Sequence, residues 1–244
     1  MKIIGETHQG LVRNSNQDSY AFGDFSPESC WAVVCDGMGG ANGGNIASQS
    51  AVKIAAEDLC LNFREEMNDN SVKNLLQTMV SRANYCVYTK AQEDEELSGM
   101  GTTIVAAVVS QGKAHIVHIG DSRAYLISGS KISQITKDHS IVQMMLDNGQ
   151  ITPDQAKEHP RKHIITRAIG VEQTIQLDYD EIDLPPDSIL LLCTDGLTNF
   201  VEDEEILTLV TQGEFEGTAE RLVQLANQNG GGDNITVVAV ASNS

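Results

Sequence analysis

An α+β fold is predicted by two features of the chain: β-type runs joined by very short loops, and amphipathic helices grouped in pairs between them. Thr103–Ser110 and Ala114–Gly120 flank Gln111-Gly112-Lys113, and Ala124–Ser128 and Lys131–Thr136 flank Gly129-Ser130. Ile175–Leu184 and Ser188–Thr194 flank Pro185-Pro186-Asp187. Loops this short predict three antiparallel hairpins. Thr103–Val109 and Ile189–Cys193 are apolar almost throughout, so both of their faces are expected to be covered.

The helices follow the 3.6-residue period. Gly44–Phe63 lines up Ile46, Ala47, Ala51, Ile54, Ala55 and Leu59, and Ser71–Lys90 lines up Val72, Leu75, Leu76, Met79, Val80, Ala83 and Val87. Glu204–Thr211 and Thr218–Gln228 repeat the pattern, and Asn234–Ala241 reads as a last, buried strand. Ser140–Arg167 is the one long stretch without a strand: a short helix, a turn, another short helix, then His159-Pro160-Arg161. It is expected to form a flap on a single domain spanning 1–244.

Against 34 acidic residues stand 16 Lys and Arg, a formal charge of −18. That excess disfavours nucleic acid or an anionic membrane as the main partner. Five cysteines, mostly within apolar stretches, suggest reduced thiols in a cytoplasm rather than a disulfide framework. Met1-Lys2-Ile3-Ile4-Gly5-Glu6 has no signal-peptide core, and no apolar run approaches membrane-spanning length. A cytoplasmic monomer without tail or anchor is the expectation.

Four aspartates sit in small glycine-containing turns, each reading as directly after an apolar strand-like run: Asp36 before Gly37, Asp121 after Gly120, Asp195 before Gly196 and Asp233 after Gly231-Gly232. One such aspartate is more often a turn or a helix cap than a ligand. Four in the same setting point to a shared site. Carboxylates and close-approaching carbonyls suit a hard cation such as Mg²⁺ or Mn²⁺. Zinc-type cysteine or histidine spacings are missing.

In order along the chain come Gly10-Leu11-Val12-Arg13-Asn14-Ser15-Asn16-Gln17-Asp18, Val34-Cys35-Asp36-Gly37-Met38-Gly39-Gly40 and Ser98-Gly99-Met100-Gly101-Thr102-Thr103. Then follow Val117-His118-Ile119-Gly120-Asp121-Ser122-Arg123, Thr136-Lys137-Asp138-His139-Ser140 and Ile165-Thr166-Arg167-Ala168-Ile169-Gly170. Cys193-Thr194-Asp195-Gly196-Leu197 and Gly232-Asp233-Asn234-Ile235-Thr236 complete the series. In this set and order the chain resembles the metal-dependent serine/threonine protein phosphatases of the 2C type, in their stand-alone bacterial form.

The resemblance implies an antiparallel β-sandwich of two sheets with helices on both outer faces, and a site at one end of it. It implies two Mn²⁺ or Mg²⁺ ions held by Asp36, the carbonyl of Gly37, Asp195 and Asp233, with Asp121 and Asp195 at a third, weaker position. Asp18 would orient water, Arg13 would clamp phosphate, and Asn16 and Asn234 would support these groups from behind. Two cations between them activate a water for in-line attack on phosphorus. Arg123, Arg167 and His139 read better as structural residues, and Cys35 and Cys193 as packing.

Three departures from the family pattern stand out. Gln17 replaces a glutamate common between the Asn16 and Asp18 equivalents, and Ala41 and Met38 stand where relatives carry histidine. With neither histidine, no histidine-like loss of phosphopeptide turnover above neutral pH is expected. The implied substrates are phosphorylated proteins, including targets of a bacterial serine/threonine kinase. A pseudophosphatase that senses a partner and a phosphatase of a small metabolite are the alternatives; the complete aspartate set argues against the first.

Overall fold

Alternation within each central strand builds the layers. The computed structural model describes residues 1–242, apart from the side chains of Gly40, Ala41 and Asn42. Its strands are β1 (Lys2–His8), β2 (Asp18–Ser26), β3 (Ser29–Met38), β4 (Gly101–Thr102), β5 (Ile104–Ser110) and β6 (Lys113–Ile119). They continue with β7 (Arg123–Ser128), β8 (Lys131–Gln134), β9 (Asp178–Asp183), β10 (Ile189–Cys193) and β11 (Ile235–Ala241). One sheet runs β1-β11-β10-β7-β8; the other runs β2-β3-β5-β6-β9, with β4 paired to β3. All pairings are antiparallel.

Odd and even residues of a strand point to opposite faces. On β3, Cys30, Ala32 and Val34 pack between the sheets, while Trp31, Val33 and Cys35 face helices. On β10, Leu190 and Leu192 face the other sheet and Leu191 and Cys193 face helices. Both faces being buried explains why these strands read as continuous apolar runs.

Two long helices, α1 (Gly40–Asn62) and α2 (Asp69–Glu93), cover the second sheet. Between β8 and β9 lie the short helices α3 (Ile141–Asp147) and α4 (Pro153–Lys157). The first sheet is covered by α5 (Asp195–Thr198), α6 (Asp203–Thr211) and α7 (Thr218–Gln228). The result is the α-β-β-α sandwich that the resemblance implied. Among the described residues, no helix is long and apolar enough to cross a membrane.

Two of the three expected hairpins form, β5–β6 and β7–β8. The third does not. β9 pairs with β6 in one sheet, while β10 lies between β7 and β11 in the other. Pro185-Pro186-Asp187 is a crossover between sheets. The Ser188 amide and hydroxyl both bond back to the Pro185 carbonyl, and Asp187 takes a φ of 59°. Both edges of β10 are already filled, which leaves no ladder for β9 to join.

Antiparallel pairing also places the site. The end of β3 lies beside the start of β2, with Asp36 directly opposite Asp18. The end of β10 lies beside the start of β11. Four chain segments from two sheets therefore meet at one edge of the sandwich.

Candidate active site

A cavity of about 640 Å³ opens at that edge, lined by Asp36, Asp121, Asp195 and Asp233 with Arg13 and with residues between α4 and β9. The four aspartates do not share one local setting, as the sequence reading had it. Asp36 lies within β3 and Asp195 opens α5. Asp121 sits in the turn after β6, and Asp233 precedes β11 rather than following a strand. What they share is the edge.

The backbone of Asp36 is held on both sides. Its amide donates to the Thr103 hydroxyl at 2.9 Å, and its carbonyl accepts from the Thr102 hydroxyl and the Thr103 amide. At Gly37 a Cβ would run into the backbone carbonyls of Gly44 and Gln17, so only glycine brings the chain this close to α1. Asp195 Oδ2 accepts from the Asn199 side chain at 2.8 Å, while its Oδ1 is buried without a hydrogen-bond partner. Asp233 accepts from Arg13 Nη2 at 2.7 Å and from the Asn234 amide.

Asp18 lies behind this row. Its Oδ2 accepts from the hydroxyls of Thr236 (2.7 Å) and Thr194 (2.9 Å), and its Oδ1 is a second buried, unpartnered oxygen. Asn16 spans from the Thr7 hydroxyl to the Asp18 amide. Asn234 holds the loop before β2 at three points, accepting from the Gln17 amide and donating to the Gln9 and Ser15 carbonyls. Both asparagines thus fix the loop that carries Arg13.

Burial, and then the charges of its neighbours, push the carboxyl of Asp36 well above the usual range; Asp121 is raised for the same two reasons. Burial and the Asp233 charge raise Asp195, and burial brings Asp18 to about 7. Several mutually repelling carboxylates, two with orphaned oxygens, make an all-oxygen donor set that fits a hard divalent cation.

Comparison with known proteins decides which chemistry this is. The family profile described as "Protein phosphatase 2C" matches residues 5–236. Protein phosphatase PhpP of Streptococcus pneumoniae is 38% identical over 246 residues, covering 100% of this chain and 98% of that protein. The crystal structure of serine/threonine phosphatase Stp1 from Staphylococcus aureus superposes with a TM-score of 0.93 at 35% identity, covering 100% of this chain and 95% of that one. The catalytic domain of serine/threonine protein phosphatase PstP in complex with two manganese ions superposes with a TM-score of 0.88 at 32% identity, covering 100% and 98%. The chain belongs to the protein phosphatase 2C family. It is a metal-dependent serine/threonine protein phosphatase.

The residues expected to be structural in this phosphatase 2C chain are so placed. Arg123 makes a forked pair with Asp138 and reaches the Tyr125 hydroxyl. Arg167 bonds to Asp178 at 2.9 Å and touches His139 Nε2. His139 Nδ1 accepts the Gly120 amide, and its ring stacks on His118 at 4.6 Å between centroids, so it braces the turn that carries Asp121. Cys35 and Cys193 are buried in the core, and burial raises both thiols. Cys60, by contrast, is exposed and Cys86 half-buried; all five cysteines are free.

Two further groups of the phosphatase, His118–His139–Asp178 and Asp69–His115–Glu181, have metal-like spacing. Each already contains a cation: Arg167 on Asp178, and Lys113 at 2.6 Å from both Asp69 and Glu181.

Sequence reasoning missed Lys162 and His163. Both line the carboxylate cavity from the segment between α4 and β9. Nothing in the residues after the second short helix tells which side chains line a cavity. Met38 lines the cavity too, and the Ala41 side chain lies outside the described residues.

Proposed function

We propose that this phosphatase hydrolyses phosphoserine and phosphothreonine in proteins within the carboxylate cavity, with two Mn²⁺ or Mg²⁺ ions bound there. The convergence of Asp36, Asp121, Asp195 and Asp233 on one cavity beside Arg13 is the observation that supports this most. Asp36, the Gly37 carbonyl, Asp195 and Asp233 would hold the pair of ions, and Asp121 with Asp195 a third, weaker one. When bound, such ions supply the positive charge that makes water nucleophilic near neutral pH and offsets the charge of the phosphoryl oxygens.

The chain's own groups do the rest. Arg13 is anchored through Nη2 to Asp233, yet its side chain is 53% exposed, so part of its planar fork remains open to phosphate oxygens. Asp18 offers Oδ1 as an acceptor that orients water. Thr194 and Thr236 hold the opposite oxygen of Asp18 and so fix its plane. On this reading residues 1–244 form one catalytic domain with a flap at about 140–167. It acts in the cytoplasm as a monomer on proteins phosphorylated by a serine/threonine kinase.

The test is release of phosphate from phosphoserine and phosphothreonine peptides. Activity is expected to vanish in chelator and to return with Mn²⁺, much less with Ca²⁺. Asp36→Asn and Asp233→Asn should each remove most of it. Undiminished turnover in either variant or in excess chelator refutes the proposed metal site, and preference for sugar phosphates over phosphopeptides refutes the substrate assignment.

A further inference from the structure

A seryl or threonyl alkoxide is a very poor leaving group, so cleavage of its phosphate ester calls for a proton donor at the departing oxygen. The chain has six histidines. His118 and His139 are buried behind the Asp121 turn, and His115 is buried in the Asp69–Glu181 group. His8 Nδ1 accepts the Gly10 amide and lies beside Asn227, and His159 Nδ1 accepts the Arg161 amide within the flap. Among the described side chains only one imidazole lines the active cavity, that of His163.

His163 comes from firm backbone. The next residue, Ile164, accepts the Ile141 amide through its carbonyl at 2.9 Å, and Ser140 and Ile165 form a β-bridge. The Thr166 amide donates to the His139 carbonyl at 2.7 Å. The flap is thereby stitched to the same His139 that braces the Asp121 turn. His163 lines the same cavity as Asp36, Asp121, Asp195 and Asp233, together with Lys162 and Arg13. A positive charge on this ring would lower the Asp195 carboxyl, against the upward push of burial and Asp233. His163 is also exposed.

We propose that His163 is the general acid of this phosphatase, protonating the seryl or threonyl oxygen as its bond to phosphorus breaks. The inference rests on the carboxylate cavity being the site of hydrolysis. In the step, the water oxygen forms a bond to phosphorus and the ester P–O bond breaks, its electron pair passing to the side-chain oxygen. That oxygen takes the proton of the His163 imidazolium. Of the two protons that the water brings, one stays on the product as hydrogenphosphate. The other returns to solvent, from which the imidazole is recharged. The alcohol leaves neutral, and nothing but water is consumed with the ester.

The experiment compares wild type with His163→Gln and His163→Ala, all with Mn²⁺, on a phosphoserine peptide and on aryl phosphates whose phenols span a range of acidity. A nitrophenolate departs without help and an alkoxide does not. The loss in the variants is therefore expected to grow with the basicity of the leaving oxygen, reaching about 10²-fold or more in kcat on the peptide. Wild-type peptide turnover should fall with rising pH, against the expectation drawn from Ala41 and Met38, and that limb should be absent from both variants. Equal fractional losses on every substrate, or a limb that persists in the variants, overturns the assignment. Because His163 is exposed, its replacement is expected to leave thermal unfolding unchanged. A wild type that cleaves aryl esters but no phosphopeptide sinks the protein-phosphatase reading and this inference together. An active wild type with parallel losses sinks this inference alone.

Discussion

Asp36 concentrates the tension of the site. It sits opposite Asp18, with Asp121, Asp195 and Asp233 near enough to raise its carboxyl. Without a cation this repulsion is borne by the fold, as active sites commonly bear it. Asp36→Asn removes one charge and keeps the shape. In chelator the variant should melt above wild type, by roughly 2–4 °C per kcal/mol of relieved repulsion. Mn²⁺ should reverse that order. At about 100 times its dissociation constant, an ion adds about 2.7 kcal/mol to wild type and far less to the variant. A thermal melt of both proteins with and without Mn²⁺ checks this; a variant that melts lower in both conditions would refute it. Arg13→Ala should act on substrate instead of metal. With one guanidinium removed, KM should rise at least tenfold, matching the roughly 1.5–3 kcal/mol of a hydrogen bond to a charged group, while kcat falls less. A steady-state comparison on phosphopeptide decides it: a deep fall in kcat at constant KM would reassign Arg13 to the transition state.

At the scale of elements, much was legible and the misreadings have physical causes. The helices were found because a single buried stripe has one period: Thr218–Gln228 matches α7 to the residue, and the others differ by a few residues at their ends. The central strands were found because Ile104–Ser110 and Leu190–Cys193 are buried on both faces, whereas β1 and β2, half-buried along most of their length, and the four-residue helix α5 were not read from the sequence. Sheet membership was not legible, since a three-residue loop is compatible with a hairpin and with a crossover. Only the filled edges of β10 decide between them. Local pattern also could not show that Asp233 precedes its strand in the site while Asp36 lies within one. Nor could it show which flap side chains turn inward. Asn84 is another element-scale surprise. Buried on α2, it accepts the Gly170 amide and donates to the carbonyls of Glu172 and Gln173, pinning that segment to the helix. Asn84→Ala leaves a buried N–H unpaired and should cost about 1–3 kcal/mol, read as a lower denaturant midpoint. An unchanged midpoint would show that water replaces the amide at no cost.

For the whole molecule, the pH dependence of stability has a contribution far from the active cavity. His115 is buried against Tyr179, and burial lowers its proton affinity despite Glu181 and Asp69, with Lys113 opposing them. The folded protein therefore holds this ring neutral, while the unfolded chain protonates it below about pH 6.5. Stability from this residue is complete above that pH and is lost as pH falls. The stability gap between wild type and His115→Gln should narrow from pH 7 to 5 in denaturant titrations; a constant or widening gap would mean that Glu181 and Asp69 outweigh burial. The two sheets carry a different consequence. Asp18 and Asp36 belong to one sheet, and Asp195 and Asp233 to strand ends of the other. Their alignment is set by how Ala32, Val34, Ala107, Leu192 and Val238 mesh between the sheets. A slip of one residue would carry one pair about 3.3 Å past the other. The greasy middle of the sandwich therefore works as the ruler of the catalytic edge. Repacking it with residues of altered size should loosen metal binding while the protein still folds, so that affinity for Mn²⁺ registers core damage before stability does.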